Sequence, residues 1–256
     1  MSSFFFVLFP RLGGLVFLFQ VMVTEATGTK EKSHEIDHFN DQLETASKMI
    51  ERNPSSVRGW SIRGDMKFFS GNFKGAKEDY QRMIEIDPRL DVSHWRLGIV
   101  YFYLEDFDKA ARQFEIYHNY DSVDRENGIW RFMSQFKKDG LTSARRGLLK
   151  YEKDDRPPYP WLYEMFAGRM TPEEIFSFIE KANFPQSYKV RVLFHAHFYV
   201  GIYLDMVEGK EGEGKDLLRK AFENEYGRDT GTYMWQVARI HYHLLLKRKK
   251  FSKDKE

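Results

Sequence analysis

The sequence repeats with a period of 34 residues, and this period limits the possible folds more than any other feature. The alanine series is the clearest, since Ala76, Ala110 and Ala144 follow one another at this spacing. Because several independent series share one register, chance is a poor explanation. A period of this length is typical of stacked helical hairpins. The other series are Phe73, Phe107 and Leu141; Tyr80, Phe114 and Leu148; Met83, Tyr117 and Tyr151; Gly64 and Gly98; and Pro54 and Pro88.

Within one period the residue types predict two helices joined by a tight turn. The stretch 70–72, Ser-Gly-Asn, interrupts the helical pattern, because glycine tolerates the left-handed geometry of a helix end. After this turn, Ala76, Tyr80 and Met83 fall on one stripe of the second helix. Gly64 on the first helix and Ala76 on the second are small, so the two helices can approach closely.

The later units keep this register with decreasing fidelity. The third unit begins near Arg125 and is degenerate, because Phe132 replaces the expected glycine while Ala144 holds its place. A helix that ends at Pro54 is expected to supply the second half of an earlier unit. The second unit repeats the pattern with Leu97, Gly98, Tyr101, Ala110 and Phe114.

The spacing of Trp60, Gly64, Ala76, Tyr80 and Pro88 resembles the tetratricopeptide repeat. The resemblance implies helical hairpins that stack into a curved solenoid, with the first helix of each unit on the concave side. We therefore predict an all-α fold, a tetratricopeptide-repeat helical-hairpin solenoid with an irregular insert and a C-terminal capping helix.

The repeat pattern stops at the proline cluster of residues 154–160 and returns only near the end of the chain. Thr171 followed by Pro172 predicts a helix start, with Glu173 and Glu174 in its first turn. Gly201 opens a more distant repeat. The expected organisation is a signal peptide or N-terminal membrane anchor at 1–26, tetratricopeptide repeats at 27–153, an irregular helical insert at 154–192, a further repeat and capping helix at 193–246, and a basic disordered tail at 247–256.

The order of these parts, from Glu35 to Glu225, is similar to that of the NlpI-like bacterial envelope lipoproteins. That resemblance implies an adaptor of the cell envelope that brings peptidoglycan hydrolases together with a processing protease, and that forms a homodimer. The chain departs from the family because it has no cysteine to carry a lipid. The lack of cysteine also excludes disulfides and thiolate metal sites.

The N-terminal segment predicts export. An apolar run from Leu12 to Val23 fits the central region of a signal peptide, and the small residues Thr24 and Ala26 follow it. Two alternatives stay open. The span 4–23 could remain as an uncleaved anchor that attaches the chain to a membrane, or the start could be misassigned. A cleaved signal peptide or an uncleaved anchor would make the protein periplasmic or membrane-associated. A misassigned start would make it cytoplasmic.

One short motif suggests a different class of protein. His34, Glu35 and His38 fit the H-E-x-x-H pattern of zinc peptidases. Their histidines project from the side of the helix opposite its apolar stripe, and no third ligand can be identified. We interpret the match as accidental and expect no catalytic residue, metal or cofactor, with a zinc peptidase as the alternative. The remaining histidines include two pairs spaced too closely on helices to share one ion, His195 with His197 and His241 with His243.

The concave surface of the solenoid is the predicted functional site. With 40 Lys and Arg against 38 Asp and Glu, the chain has no strong field for nucleic acid, and we expect a protein or peptide partner. About half of the groove residues are expected to belong to the core, and Trp95 is expected to be exposed and to contribute most to binding. The candidate partner-binding residues are Arg58, Asp65, Phe68, Phe69, Trp95, Ile99, Phe102, Tyr103, Met133 and Lys137.

These observations predict a non-catalytic scaffold or adaptor that binds its partner in the concave groove. A cytosolic co-chaperone of the clamp type is a further alternative. It would need a cluster of Lys and Arg in the groove to hold a C-terminal carboxylate, whereas the candidate groove is mostly aromatic.

Overall fold

The computed structural model of the chain describes residues 39–253, with side chains through residue 247. No strand occurs in this part, which confirms the all-α prediction, and none of its helices combines the length and the apolar character needed to cross a membrane. The expected signal peptide or anchor at 1–26 and the His34–Glu35–His38 motif lie outside the described residues. The helices are α1, described over 39–52, α2 (Val57–Phe69), α3 (Phe73–Ile86), α4 (Trp95–Tyr103), α5 (Phe107–Tyr120), α6 (Arg125–Arg146), α7 (Tyr159–Phe166), α8 (Pro172–Lys181), α9 (Gln186–Met206), α10 (Glu211–Phe222), α11 (Glu225–Thr230) and α12 (Tyr233–Lys253).

Helices α2 and α3 form the first predicted hairpin. A Cβ atom built on Gly64 would lie 2.5 Å from the Tyr80 ring, so the glycine is required for the close approach of the two helices. Gly71 has φ 81° in the turn, and the side chain of Asn72 caps α3 by accepting a hydrogen bond from the Gly75 amide. The predicted break at 70–72 is confirmed.

Helices α4 and α5 repeat this arrangement. A Cβ atom on Gly98 would lie 2.7 Å from the Phe114 ring, and Ala110 is fully buried beside it. The turn between the two helices contains Glu105 in the left-handed region at φ 60°. The same pair of a glycine and an aromatic ring therefore sets the helix spacing in both good repeats.

The third unit departs from the pattern at the residue that the sequence identified. Phe132 stands where the other units have glycine, and its ring packs against Phe166 of α7 at 5.1 Å between centroids. Gly140, at φ 82° and ψ 177°, interrupts α6 between a long first part and a short second part. Ala144 is buried as predicted. The large ring at position 132 thus joins the third unit to the insert.

The second half of the chain contains the predicted insert and the more distant hairpin. Thr171 caps α8, and the Glu174 side chain accepts a hydrogen bond from the Thr171 amide, which confirms the predicted helix start. In the hairpin of α9 and α10, a Cβ atom on Gly201 would lie 2.9 Å from the Leu218 side chain. Helix α9 begins at Gln186, inside the range expected for the insert.

The last helix, α12, has a larger role than the predicted cap. It packs on α10, where the Trp235 indole donates a hydrogen bond to the Phe222 carbonyl oxygen at 3.0 Å. It also returns to the start of the solenoid, since the Tyr233 ring stacks on Phe68 of α2 at 5.4 Å. The helix extends to Lys253, into the segment that we expected to be a disordered tail. Helix α12 therefore joins both halves of the molecule.

The glycine contacts lead to a matched pair of stability predictions. Gly98→Ala should lower the free energy of unfolding by about 1–3 kcal/mol, because the new methyl group collides with Phe114. A Cβ atom on Gly212, in α10, meets no atom within 4 Å, so Gly212→Ala should be neutral or stabilising by about 0.4–1 kcal/mol. Urea unfolding followed by circular dichroism measures both. Equal effects of the two substitutions would contradict the role assigned to Gly98.

Candidate functional site: the concave groove

Four of the ten candidate partner-binding residues are buried in the core and therefore inaccessible. Phe68, Ile99 and Met133 are fully buried, and Phe102 is 7% exposed. Arg58 and Lys137 are exposed, whereas the other four are half-buried. The expectation that some of these rings belong to the core agrees with the structure. The half-buried residues are Asp65, Phe69, Trp95 and Tyr103.

The ring of Tyr233, at the start of α12, fills the centre of the groove. It lies 5.1 Å from the Phe69 ring and 4.9 Å from the Trp95 ring, with the Trp95 and Tyr233 planes at 84°. Edge-to-face pairs at these distances are favourable beyond the area that they bury. Trp95 is therefore partly covered by the chain's own helix, and it is half-buried where we expected an exposed tryptophan.

Two polar contacts within one turn of α12 hold this helix in the groove. Nη2 of Arg239 donates a hydrogen bond to the Phe69 carbonyl oxygen at 2.7 Å. Further along the helix, Nδ1 of His241 lies 3.2 Å from the Tyr103 hydroxyl. The Phe69 carbonyl is at the end of α2, so Arg239 satisfies one of the acceptors that a helix terminus leaves open. These contacts fix the register of α12 against α2 and α4.

Asp65, one of the candidate partner-binding residues, forms its polar contacts within the chain. Its carboxylate accepts a hydrogen bond from the Tyr80 hydroxyl at 2.5 Å and pairs with Nη1 of Arg96 at 2.7 Å. The Tyr80 hydroxyl is also 3.3 Å from that of Tyr233. Burial raises the pKa of Asp65, and the Arg96 charge opposes this shift. The Asp65 carboxylate therefore stabilises the surface on which α12 packs.

Helix α12 leaves one end of the groove open, and we call this opening the end cleft. Its volume is about 560 Å³. Three of the predicted residues, Phe102, Tyr103 and Lys137, line it. The sequence did not identify the rest of the lining, although residues 233–245 are apolar on more than one face, which is typical of a helix buried on several sides. The other lining residues are Phe73, Glu105, Phe107, Met206, His241, Leu244 and Lys247.

A second, smaller opening of about 220 Å³ contains a polar cluster. The Tyr199 hydroxyl donates a hydrogen bond to the Glu126 carboxylate, and Nη2 of Arg156 lies 3.5 Å from that carboxylate. Burial, together with the Asp124 charge, raises the pKa of Glu126 to about 7. Burial raises the pKa of Asp124 to about 6. Both carboxyl groups lie at the N-terminus of α6, where Asp124 caps the helix.

Comparisons with known proteins are consistent with the repeat fold. No family model matches the chain. The chain is 29% identical over 117 residues to Hsp70-Hsp90 organizing protein 3 of Arabidopsis thaliana, which covers 45% of this chain and 20% of that protein. It is 27% identical over 128 residues to the Hsp70-Hsp90 organizing protein of Triticum aestivum, which covers 48% of this chain and 21% of that protein. The match thus spans about a fifth of either relative.

The helical hairpins, their 34-residue period and these relatives together define the class of protein. The chain is an all-α solenoid of the tetratricopeptide-repeat type, and its relatives support a role in protein–protein interaction. Neither relative is named as a lipoprotein, so the narrower resemblance to the NlpI-like family stays a prediction from the sequence.

The polar cluster predicts a specific pH dependence of stability. Between the ordinary pKa of 4.5 and about 7, the folded state keeps the Glu126 proton and the unfolded state loses it. The stability contributed by Glu126 should therefore fall as pH rises through this window and become constant above it. The buried His94, His195 and His197, whose pKa values burial lowers, contribute in the opposite sense, so the prediction concerns the melting temperature of the chain relative to that of Glu126→Gln, which should decrease as pH rises. Melting temperatures from pH 4 to 8 test this, with the exposed Glu78→Gln as the control. An unchanged pH profile in Glu126→Gln would contradict it.

The groove contacts predict that Trp95 contributes to folding. Trp95→Ala should lower the free energy of unfolding by about 3 kcal/mol, because it removes the contact with Tyr233 and opens a cavity. Arg58→Ala, at an exposed position on the same side, should change it by no more than about 0.5 kcal/mol. Urea unfolding measures both variants. An unchanged unfolding midpoint for Trp95→Ala would show that the indole is not held by α12.

Proposed function

We propose that the chain is a non-catalytic adaptor that binds a segment of a partner protein in the end cleft. The observation that carries this proposal is the half-buried aromatic lining of an opening at the end of a repeat groove. The rings of Phe73, Tyr103 and Phe107 are only partly covered by the chain. Concave, mostly apolar openings with a few polar groups are the usual form of binding sites.

The co-chaperone type of adaptor, given above as the alternative, has more support than the envelope adaptor. The names of both relatives describe proteins that organize Hsp70 and Hsp90. The clamp hypothesis needs cationic side chains in the groove, and Lys137 and Lys247 both line the end cleft. The partner that we propose is therefore a chaperone of the Hsp70 or Hsp90 class, and the proposed location is the cytoplasm.

The envelope role rests on the order of the repeats and the insert in the sequence alone. It would require a peptidoglycan hydrolase or a processing protease as the partner. Attachment to a membrane through the N-terminal segment and a homodimer belong to the same hypothesis. The two relatives lend no support to these features, so this role takes second place.

Site-specific photo-crosslinking tests whether the chain binds the proposed partner and whether it does so in the end cleft. A benzoylphenylalanine at position 105, an exposed position in the lining of the end cleft that carries neither lysine, should crosslink purified Hsp70 or Hsp90. The same group at position 220, an exposed position on α10, should not. The result is read as a mass shift and mapped by peptide sequencing. Equal crosslinking from both positions, or none from position 105, would contradict the proposed function.

A second arm of the experiment distinguishes the two candidate partner classes. When the variant with the crosslinker at position 105 is irradiated in its cells of origin, the crosslinked proteins identify the class. A chaperone would support the co-chaperone role. A peptidoglycan hydrolase or a protease would favour the envelope role instead.

A further inference from the structure

The end cleft combines an apolar floor with two lysines that come from different helices. Phe73 and Tyr103 stack at 5.2 Å between centroids with an angle of 24°, and they form a fixed aromatic surface. Lys137 belongs to α6 and Lys247 to α12, and both side chains are exposed. The cleft therefore presents cationic groups at two separate places around its apolar floor.

These two lysines differ from their neighbours because no carboxylate of the described side chains, which end at residue 247, compensates their charges. Lys138 pairs with Asp108, and Lys109 pairs with Asp106 at 2.6 Å. Among the described residues, neither Lys137 nor Lys247 forms an ion pair. Their charges remain available to a ligand.

The one acidic residue in the lining does not cancel this charge. Glu105 lies in the turn between α4 and α5, where its left-handed backbone leaves the side chain exposed. The lining contains one carboxylate and two ammonium groups. Its net charge is therefore +1 when His241 is counted as neutral. A ligand with negative charge near an apolar group would therefore complement the cleft.

We propose that the end cleft binds a segment of a partner protein in which an aromatic side chain is flanked by acidic residues. The aromatic ring packs on Phe73 and Tyr103, and carboxylates on either side of it pair with Lys137 and Lys247. Two cationic positions on separate helices complement two carboxylates, one on each side of the ring. This proposal rests on the proposed function and adds the chemistry of the bound segment.

Blocked pentapeptides test this chemistry directly. One peptide carries a central phenylalanine with two glutamates on each side, and its matched control carries glutamines instead. In fluorescence anisotropy with the full chain at low salt, the glutamate peptide should bind about two- to thirtyfold more tightly, as expected for two exposed ion pairs. The difference should shrink in higher salt, because exposed charges are screened. Equal affinities of the two peptides would overturn the proposal.

Two adjacent lysines on α6 provide a matched control. The preference is measured as the logarithm of the ratio of the affinities for the glutamate and glutamine peptides. In Lys137→Gln this logarithm should fall to half of its original value or less. Lys138→Gln should keep it, because Lys138 pairs with Asp108 and does not line the cleft. Equal losses in the two variants would mean that general charge, and not the cleft, causes the preference, which would overturn the proposal.

Two further probes test the aromatic group and the class of polymer. Replacing the central phenylalanine by alanine should abolish measurable binding of the glutamate peptide, and retained affinity would contradict the apolar contact. An oligothymidylate of comparable length should bind more weakly than the glutamate peptide. Tighter binding of the oligothymidylate would contradict the proposal that the partner is a protein.

The proposed function and this inference fail separately. A partner that crosslinks at position 105, together with equal affinities of the glutamate and glutamine peptides, would overturn only the acidic chemistry. A lack of crosslinking at position 105, together with tight glutamate-selective binding in the cleft, would overturn only the chaperone partner.

Discussion

The contact between Tyr233 and the aromatic residues of the groove determines the architecture of the molecule. Tyr233 packs between Phe68 of the first complete repeat and Trp95 of the second, so α12 closes the concave side. In an open solenoid each repeat contacts only its neighbours. Here the last helix also contacts the first complete repeat, which converts the groove into an internal interface. The end cleft is what remains open, and α12 supplies part of its lining.

The sequence predicts the repeats well because their geometry is local. In each good unit a glycine on one helix faces an aromatic ring 16 residues later, as Gly64 faces Tyr80 and Gly98 faces Phe114. This pairing fixes the distance between the helices, and the 34-residue period repeats it. The return of α12 to α2 is not local. A repeat register reports contacts between neighbouring units and contains no information about contacts between distant helices.

The same distinction explains the outcome for the candidate site. The repeat register identified the residues that face the groove, and Phe102, Tyr103 and Lys137 line the end cleft. It could not reveal that the groove is filled, so Trp95 was expected to be exposed. The apolar residues on several faces of α12 indicated that this helix is buried on several sides. They do not specify which helices it contacts. The relatives support protein interaction as the general role, and the physical chemistry of the end cleft narrows the kind of partner.

The most direct test of this account is the nuclear Overhauser effect between Trp95 and Tyr233. In a deuterated chain with protonated tryptophan and tyrosine, the centroid distance of 4.9 Å predicts strong cross-peaks between the two rings. The Tyr233→Leu variant assigns these cross-peaks by removing them. If the folded chain lacks cross-peaks between Trp95 and Tyr233, α12 does not fill the groove, and the account is contradicted.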